Sequence, residues 1–250
     1  TKDLLLIDIY NNPELYDAIH SNYIRDEKFI SKYSQKIRGP VLELASGTGR
    51  LSKVILDEGL DYTGIDLSKE FIKVAQSRFK GNGEFFLDDM RNFNLKKKFK
   101  FVFIGFNSFL HNLTNVDAAK TIECVSNHML DNGVFLLSIY LPDPSFLIRD
   151  QNILYPATDY FFYKSSQCRI MENNNYDENS SINTLFWYLE IDGVLQEEKY
   201  SFKQKMYYPH EMDILFENSS LNIIEKLGSY DGSKMNDLST MQIYICEKST

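Results

Sequence analysis

Eight consecutive residues, Glu43-Leu44-Ala45-Ser46-Gly47-Thr48-Gly49-Arg50, carry the most specific chemistry in the chain. Glycines between a strand and a helix let a ligand approach the backbone and aim amide N–H groups into the crevice at the strand ends. Carboxylates recur at the ends of three successive strand-like segments: Glu43 on the first, Asp66 after the second, Asp88 and Asp89 after the third. A carboxylate can take two hydroxyls, which suits Asp66 to a ribose, and Asp89 can accept from an adenine amino group while the Met90 amide reaches a ring nitrogen. Glu43, under the glycine turn, is placed to orient that loop and to favour an ammonium.

The charge of these groups separates two ligands. A nicotinamide dinucleotide brings a doubly negative pyrophosphate and usually wants a third glycine three residues on, where this chain has Ser52. S-adenosylmethionine carries a sulfonium and a zwitterionic tail. At an effective dielectric near 20 a unit charge 4 Å away is worth about 4 kcal/mol before solvent competition, so several acids together select the cationic ligand.

A second group of residues faces the same crevice from the end of the fourth strand: Phe106-Asn107-Ser108-Phe109-Leu110-His111. The near-neutral pKa of histidine suits His111 to proton removal from an acceptor, against the plainer reading of a loop residue satisfied by backbone. His20, His128 and His210 lack that placement and are expected to be structural. The strand also lacks the Asn/Asp-Pro-Pro-aromatic signature used on amines of bases and glutamines. No metal-ligand cluster is present, and Cys124, Cys168 and Cys246 are widely spaced without a CxxC, with Cys124 and Cys246 expected in the core.

The elements that must hold these groups follow from periodicity. Helical spacing over 14–37 stops at Gly39-Pro40. Strands are then expected at 41–44, 62–65, 84–87, 101–105 and 134–140, with helices over 48–58, 68–79 and 116–130 and a turn at Asp131-Asn132-Gly133. Short apolar strands alternating with helices mean a doubly wound, mostly parallel α/β sheet. Residues 155–207 read instead as antiparallel strands, with Asp192-Gly193 as a two-residue hairpin turn. Helical spacing returns over 209–218, and strands at 222–227 and 241–246 close the chain. The expected division is an N-terminal helical lid over 1–39, a cofactor-binding core over 40–150 and 208–250, and a β-insertion over 151–207.

Over residues 40–140 these motifs resemble the class I S-adenosylmethionine-dependent methyltransferases, with Glu43–Arg50 as the first motif, Gly64-Ile65-Asp66-Leu67-Ser68 as the second and Asp88-Asp89-Met90-Arg91-Asn92-Phe93 as the third. The wider chain is similar to bacterial small-molecule N-methyltransferases, including amino-sugar dimethyltransferases and, more distantly, glycine N-methyltransferase. Ala45 stands where that family often has Gly, and Ser46 where Cys is frequent. The resemblance implies a seven-stranded Rossmann-like sheet with the antiparallel insertion after the fifth strand. It also implies S-adenosylmethionine as cofactor, S-adenosylhomocysteine as product, and methyl transfer to nitrogen, less readily oxygen, of a small molecule. Cofactor contacts fall on Glu43, Ala45, Gly47, Gly49 and Arg50, on Asp66 and Leu67, on Asp89 and Met90, and on Phe106 and Asn107. His111 and Tyr16 then border the acceptor nitrogen, Tyr16 having simple helix packing as its alternative. Two rival functions remain at this level: a catalytically silent adenosyl-ligand binding or regulatory protein, and a dinucleotide-binding enzyme.

Composition narrows the partners. A net charge of −8 and a pI near 5.1 oppose nucleic acid as the main partner. Lys96, Lys97, Lys98 and Lys100 form the one dense basic run, expected to be a solvated turn. No apolar run reaches the roughly 18 residues of a membrane span, and no charged-then-apolar leader opens the chain, so a cytoplasmic enzyme is expected. The chain opens on Thr1 without Met, and a few preceding residues are expected. Tyr160, Phe161, Phe162, Trp187 and Tyr188 in the insertion offer walls for a small acceptor, or else a core or a homodimer contact.

Overall fold

The computed structural model describes residues 6–249. The chain opens with β1 (Leu6–Ile7), a 3-10 turn (Ile9–Asn11) and α1 (Pro13–His20). Next come α2 (Glu27–Ile37), β2 (Val41–Leu44), α3 (Arg50–Asp57), β3 (Tyr62–Asp66), α4 (Lys69–Phe79), β4 (Glu84–Leu87) and β5 (Phe99–Ile104). A second 3-10 turn (Ser108–His111) leads to α5 (Asn115–His128) and β6 (Met129–Tyr140). Then follow α6 (Pro144–Leu147), β7 (Tyr155–Pro156), β8 (Phe161–Tyr163), β9 (Ser166–Asp177), β10 (Ile182–Ile191) and β11 (Val194–Lys205). The last elements are α7 (Pro209–Glu217), β12 (Leu221–Leu227) and β13 (Met241–Lys248).

Two compact units share the chain. The larger holds Arg25–Pro142 and the residues from Tyr207 onward; the smaller holds the residues up to Ile24 and Asp143–Met206. The divisions therefore fall at 24/25, 142/143 and 206/207, rather than at 39/40, 150/151 and 207/208.

In the larger unit seven strands run in the order β12-β13-β6-β5-β2-β3-β4. β13 is antiparallel to both its neighbours, and the remaining neighbouring pairs are parallel. β2 is wholly buried and β5 nearly so, as expected of central strands covered on both faces. Leu51, Ile55 and Leu56 of α3 and Ile72 and Ala75 of α4 pack with Val41, Phe101, Phe103 and Leu136 of the sheet. Helix starts are capped by side chains: the Ser68 hydroxyl accepts from Phe71 N at 3.2 Å, and Thr114 Oγ1 from Asp117 N at 3.1 Å.

Two local expectations are revised. The single helix over 14–37 is two helices, because the Ser21 hydroxyl takes up the Ala18 carbonyl at 2.8 Å and the chain breaks before Asp26. Asp131-Asn132-Gly133 is no free turn but an irregular stretch inside β6, where the register with β5 shifts between Phe99 and Phe101. Gly133 permits this, since a Cβ there would lie 2.9 Å from the Leu130 carbonyl and 3.1 Å from that of Phe99.

The smaller unit is a six-stranded sheet in which β1, β11, β10, β9 and β7 lie in that order and β8 also pairs with β9. Asp192 and Gly193 turn the β10–β11 hairpin with φ of 48° and 80°, the signature of a type I′ turn. The core of this unit joins Leu15 and Ile19 of α1 to Phe161, Cys168, Ile170, Leu189 and Tyr200.

Candidate functional site

The glycine turn follows β2 and opens α3. Gly47 and Gly49 have φ of 60° and 92°, and Ala45, a residue with a Cβ, is also left-handed at 57°. The two glycines do different work. A Cβ on Gly49 would lie 2.4 Å from Phe79 Cε2, so that glycine serves the packing of α3 on α4, whereas one on Gly47 would meet nothing nearer than Phe71 Cδ2 at 3.9 Å. The backbone at Gly47 is open to a ligand.

The amides of this turn do not point into the crevice as expected from sequence. Ser46 N donates to the Ile65 carbonyl at 2.9 Å, Gly49 N to the Ser46 carbonyl at 3.1 Å, and Gly47 N to Asp66 Oδ2 at 2.8 Å. Three donors that a phosphate would require are consumed inside the protein.

The carboxylates are also more engaged than their types alone disclose. Asp66 closes the glycine turn with one oxygen and accepts from Ser68 N at 2.8 Å with the other, stitching β2 to the start of α4. Burial pushes its pKa up against those amides. Each oxygen keeps a second lone pair for a ligand. Leu67, beside it, is 68% exposed, an uncovered apolar surface at the strand end. Asp89 forms a forked pair with Arg91, with Nη2 at 2.6 Å from Oδ2, and the guanidinium holds its carboxyl below the usual range. Met90 is half-buried next to it.

Glu43 is buried under the turn and accepts a 2.6 Å hydrogen bond from the Tyr62 hydroxyl. Burial raises its pKa to about 8, against the hydrogen bond from Tyr62 and the charge of Arg50, while Asp26 and Asp66 reinforce the rise. Arg50 is itself held: its two terminal nitrogens each lie 2.7 Å from an oxygen of Asp26, a buried residue just before α2. The guanidinium also sits 5.0 Å from the centre of the Phe106 ring. Sequence reasoning missed Asp26 and Tyr62. Asp26 lies inside the stretch that reads as one helix over 14–37, where an acid reads as a solvated residue, and an aromatic in a strand reads as core.

Beyond β5 the chain turns sharply through Phe106 and Asn107, with φ of 52° and 64°. Asn107 is fixed to β6 by accepting from Tyr140 N at 2.7 Å, which holds Phe106 over Arg50. His111 ends the 3-10 turn, half-buried, and the next residue is anchored by the buried Tyr207 hydroxyl donating to the Asn112 carbonyl at 2.6 Å. His128 has a structural job: Nε2 accepts from Leu95 N at 3.0 Å, Nδ1 lies 2.7 Å from the Cys124 carbonyl, and burial lowers its pKa. Exposed His210 stacks on Tyr208.

Within the smaller unit Tyr16 is half-buried between Tyr10 and His20, its ring 4.4 Å from the imidazole. Of the insertion aromatics, Phe161 is core, Phe162 is exposed, and Tyr160 lies under the Arg169 guanidinium. Trp187 donates to the buried Glu172 at 2.6 Å, and Glu172 also binds Arg149. Cys168 and Cys246 are buried thiols, and Cys124 is half-buried. Among the described residues there is no cluster of ligands for a metal ion and no helix long and apolar enough to cross a membrane.

A seven-stranded sheet with one antiparallel strand near its end and an acid-rimmed glycine turn is the fold of the class I methyltransferases. Residues 41–133 match the family model described as a methyltransferase domain. The chain is 29% identical over 154 residues to YqeM of Bacillus subtilis (strain 168), named as a candidate methyltransferase, a match covering 56% of this chain and 62% of that one. It is 27% identical over 134 residues to a dTDP-3-amino-3,6-dideoxy-α-D-glucopyranose N,N-dimethyltransferase of Streptomyces fradiae, covering 50% of this chain and 51% of the relative. The chain thus spans less than two thirds of the length of these relatives. Its fold is shared with the crystal structure of an S-adenosylmethionine-dependent methyltransferase from Clostridium acetobutylicum ATCC 824. The TM-score is 0.76 at 19% identity, over 94% of this chain and 97% of that one.

Proposed function

We propose that this protein is an S-adenosylmethionine-dependent methyltransferase whose acceptor is an amino group on a small molecule. The observation that carries the reading is the glycine turn: the amides of Ser46, Gly47 and Gly49 are satisfied internally, and its surroundings are carboxylates. Such a turn offers a phosphate fewer donors and favours a ligand with a cationic head. When bound, S-adenosylmethionine supplies a methyl group already activated on a sulfonium.

The residues fit that ligand. Gly47 leaves space along the backbone, Asp66 has lone pairs free for ribose hydroxyls, and exposed Leu67 offers an apolar face to adenine, with Asp89 and the Met90 amide at its polar edge. Glu43 and Arg50 serve the two ends of the amino-acid tail, Ala45 and Gly49 shape the turn, and Phe106 and Asn107 close the crevice from the end of β5. Transfer by in-line displacement asks the protein to hold the acceptor, exclude water and leave its nitrogen unprotonated. His111 is the group we assign to that proton. Tyr16 keeps an acceptor-side role by resemblance alone. Nitrogen is favoured over oxygen by the amino-sugar relative.

Calorimetry tests the cofactor. S-adenosylmethionine and S-adenosylhomocysteine should bind and NAD should give no heat; tight NAD binding would remove the basis of the proposal. Release of S-adenosylhomocysteine on adding nucleotide-linked amino sugars, and its absence with the matching hydroxy sugars, tests the acceptor.

A further inference from the structure

Ser52 occupies the helix position where dinucleotide folds place a third glycine for close helix–strand contact, and here that position is put to a different use. Ser52 is fully buried, and its hydroxyl donates to the Tyr62 oxygen at 2.7 Å. Tyr62 is 1% exposed, and its own hydroxyl donates to Glu43 Oε2 at 2.6 Å. The chain of hydrogen bonds therefore has a direction, running from α3 through β3 to the carboxyl under the glycine turn. β3 makes room for it. Gly64, two residues on and on the same face as Tyr62, could not carry a side chain, because a Cβ would lie 2.7 Å from the Tyr62 oxygen and 2.8 Å from Ser46 Oγ.

Packing does not explain the hydroxyl. The Tyr62 ring belongs to the apolar cluster that holds Phe85, Ile72 and Leu56, with its centre 5.5 Å from that of Phe85, and phenylalanine would fill the same volume. A buried phenol costs free energy unless its oxygen is fully used. Both roles of this one, donor and acceptor, are used along a line that ends at Glu43.

We propose that Tyr62, backed by Ser52, is a positioning residue that keeps Glu43 available as a carboxylate to the ligand's cationic head. The ligand half of this statement rests on the function proposed above. The groups facing Glu43 are Tyr62 from β3, Arg50 from α3, Asp26 from the start of α2 and Asp66 from the end of β3. Arg50 is shared with Asp26, and the two aspartates oppose the charge. Among these groups the phenol is thus the one that stabilises ionised Glu43 without a competing acidic partner of its own. In its absence burial acts with one fewer opposing contact, and Glu43 meets the ligand as a neutral acid over a wider range of pH.

The test compares Tyr62→Phe with the unaltered protein in two ways. Without ligand, thermal unfolding is followed from pH 5 to 10. The loss of stability as Glu43 resists ionisation should end about one pH unit higher in Tyr62→Phe, since loss of a charge-stabilising hydrogen bond raises a carboxyl pKa by about that much. With S-adenosylmethionine as probe, affinity is measured over the same range. The ratio of the two dissociation constants should be roughly tenfold at pH 7 and approach one at high pH. The amine of the ligand titrates equally in both arms and cancels in the ratio. In a Glu43→Gln background, Tyr62→Phe should have no pH-dependent effect on either readout.

Superimposable ligand-free pH profiles would overturn the inference whatever the ligand does. A shifted stability profile with an affinity ratio independent of pH would confine Tyr62 to folding and overturn its role toward the ligand. Failure of the unaltered protein to bind S-adenosylmethionine, with the stability profile still shifted, would overturn the proposed function while leaving the control of Glu43 by Tyr62 in place.

Discussion

At the scale of single residues, sequence pattern places a side chain without disclosing what it bonds to. Asp66 was legible as a crevice carboxylate because it ends a strand next to the glycine turn. Its bonds to Gly47 N and Ser68 N were not legible, since they depend on how β3 lies beside β2, which no local pattern encodes. Ala45 is the reverse case. Its departure from the family's usual glycine was visible in the sequence, and the structure supplies the consequence, a left-handed φ of 57° on a residue with a Cβ. That conformation costs an L-residue roughly 1–2 kcal/mol, while glycine adds about 0.4–1 kcal/mol of chain entropy to the unfolded state. Ala45→Gly is therefore expected to raise stability by up to about 1.5 kcal/mol. Its urea midpoint should rise with the slope of the transition unchanged; a fall would mean the Ala45 methyl makes contacts worth more than the strain.

At the scale of elements, alternating strands and helices were readable because each strand of a covered sheet is a short apolar run. The break between α1 and α2 was not, because apolar spacing continues through Tyr23 and Ile24 into Phe29 and Ile30. What places the start of α2 is a contact far along the chain, the forked pair of Asp26 with Arg50 at the first position of α3. The two partners are unequally buried: the Asp26 side chain is 1% exposed and that of Arg50 24%. Deleting one member of such a pair strands the other. Arg50→Ala leaves a carboxylate with no access to water and should cost about 3–5 kcal/mol. Asp26→Ala leaves a guanidinium that water can reach and that still lies over Phe106, so its cost should be clearly smaller. Denaturation of the two variants under one set of conditions decides the point; equal losses would show that solvent does not reach Arg50 in the folded protein.

At the scale of the whole molecule, the presence of a doubly wound unit and an antiparallel one was legible from the change of period after residue 142, and the Asp192-Gly193 hairpin was placed correctly. The N-terminal helices were harder to assign, because nothing in their amphipathic pattern says which sheet they cover. In the lysine run, Lys97 pairs with Asp61 at 2.7 Å, while Lys98 and Lys100 bond to the carbonyls of Asn127 and Asn132.

Stability is the whole-molecule property on which Glu43 acts. Its carboxyl titrates near 4.5 when free of the fold and at about 8 inside it, burial being the main cause. Between those values the folded protein holds a proton that the unfolded chain has released, so the slope of unfolding free energy with pH is negative. The contribution is fully present below pH 4.5 and is lost as pH rises toward 8. Gln in place of Glu43 keeps an oxygen for the Tyr62 hydroxyl and cannot ionise. Glu43→Gln should match the unaltered protein near pH 5 and exceed it by about 2–4 kcal/mol at pH 9, since each tenfold gain in proton affinity on folding is worth about 1.4 kcal/mol. On the proposed function the same substitution should weaken S-adenosylmethionine binding, because a neutral amide replaces a carboxylate assigned to the cationic head; this is the usual opposition between stability and a functional site. Thermal melts at the two pH values and calorimetry at pH 8 provide the measurements. A variant no more stable than the parent at pH 9 would show that Glu43 is ionised and compensated throughout, with Arg50 outweighing burial.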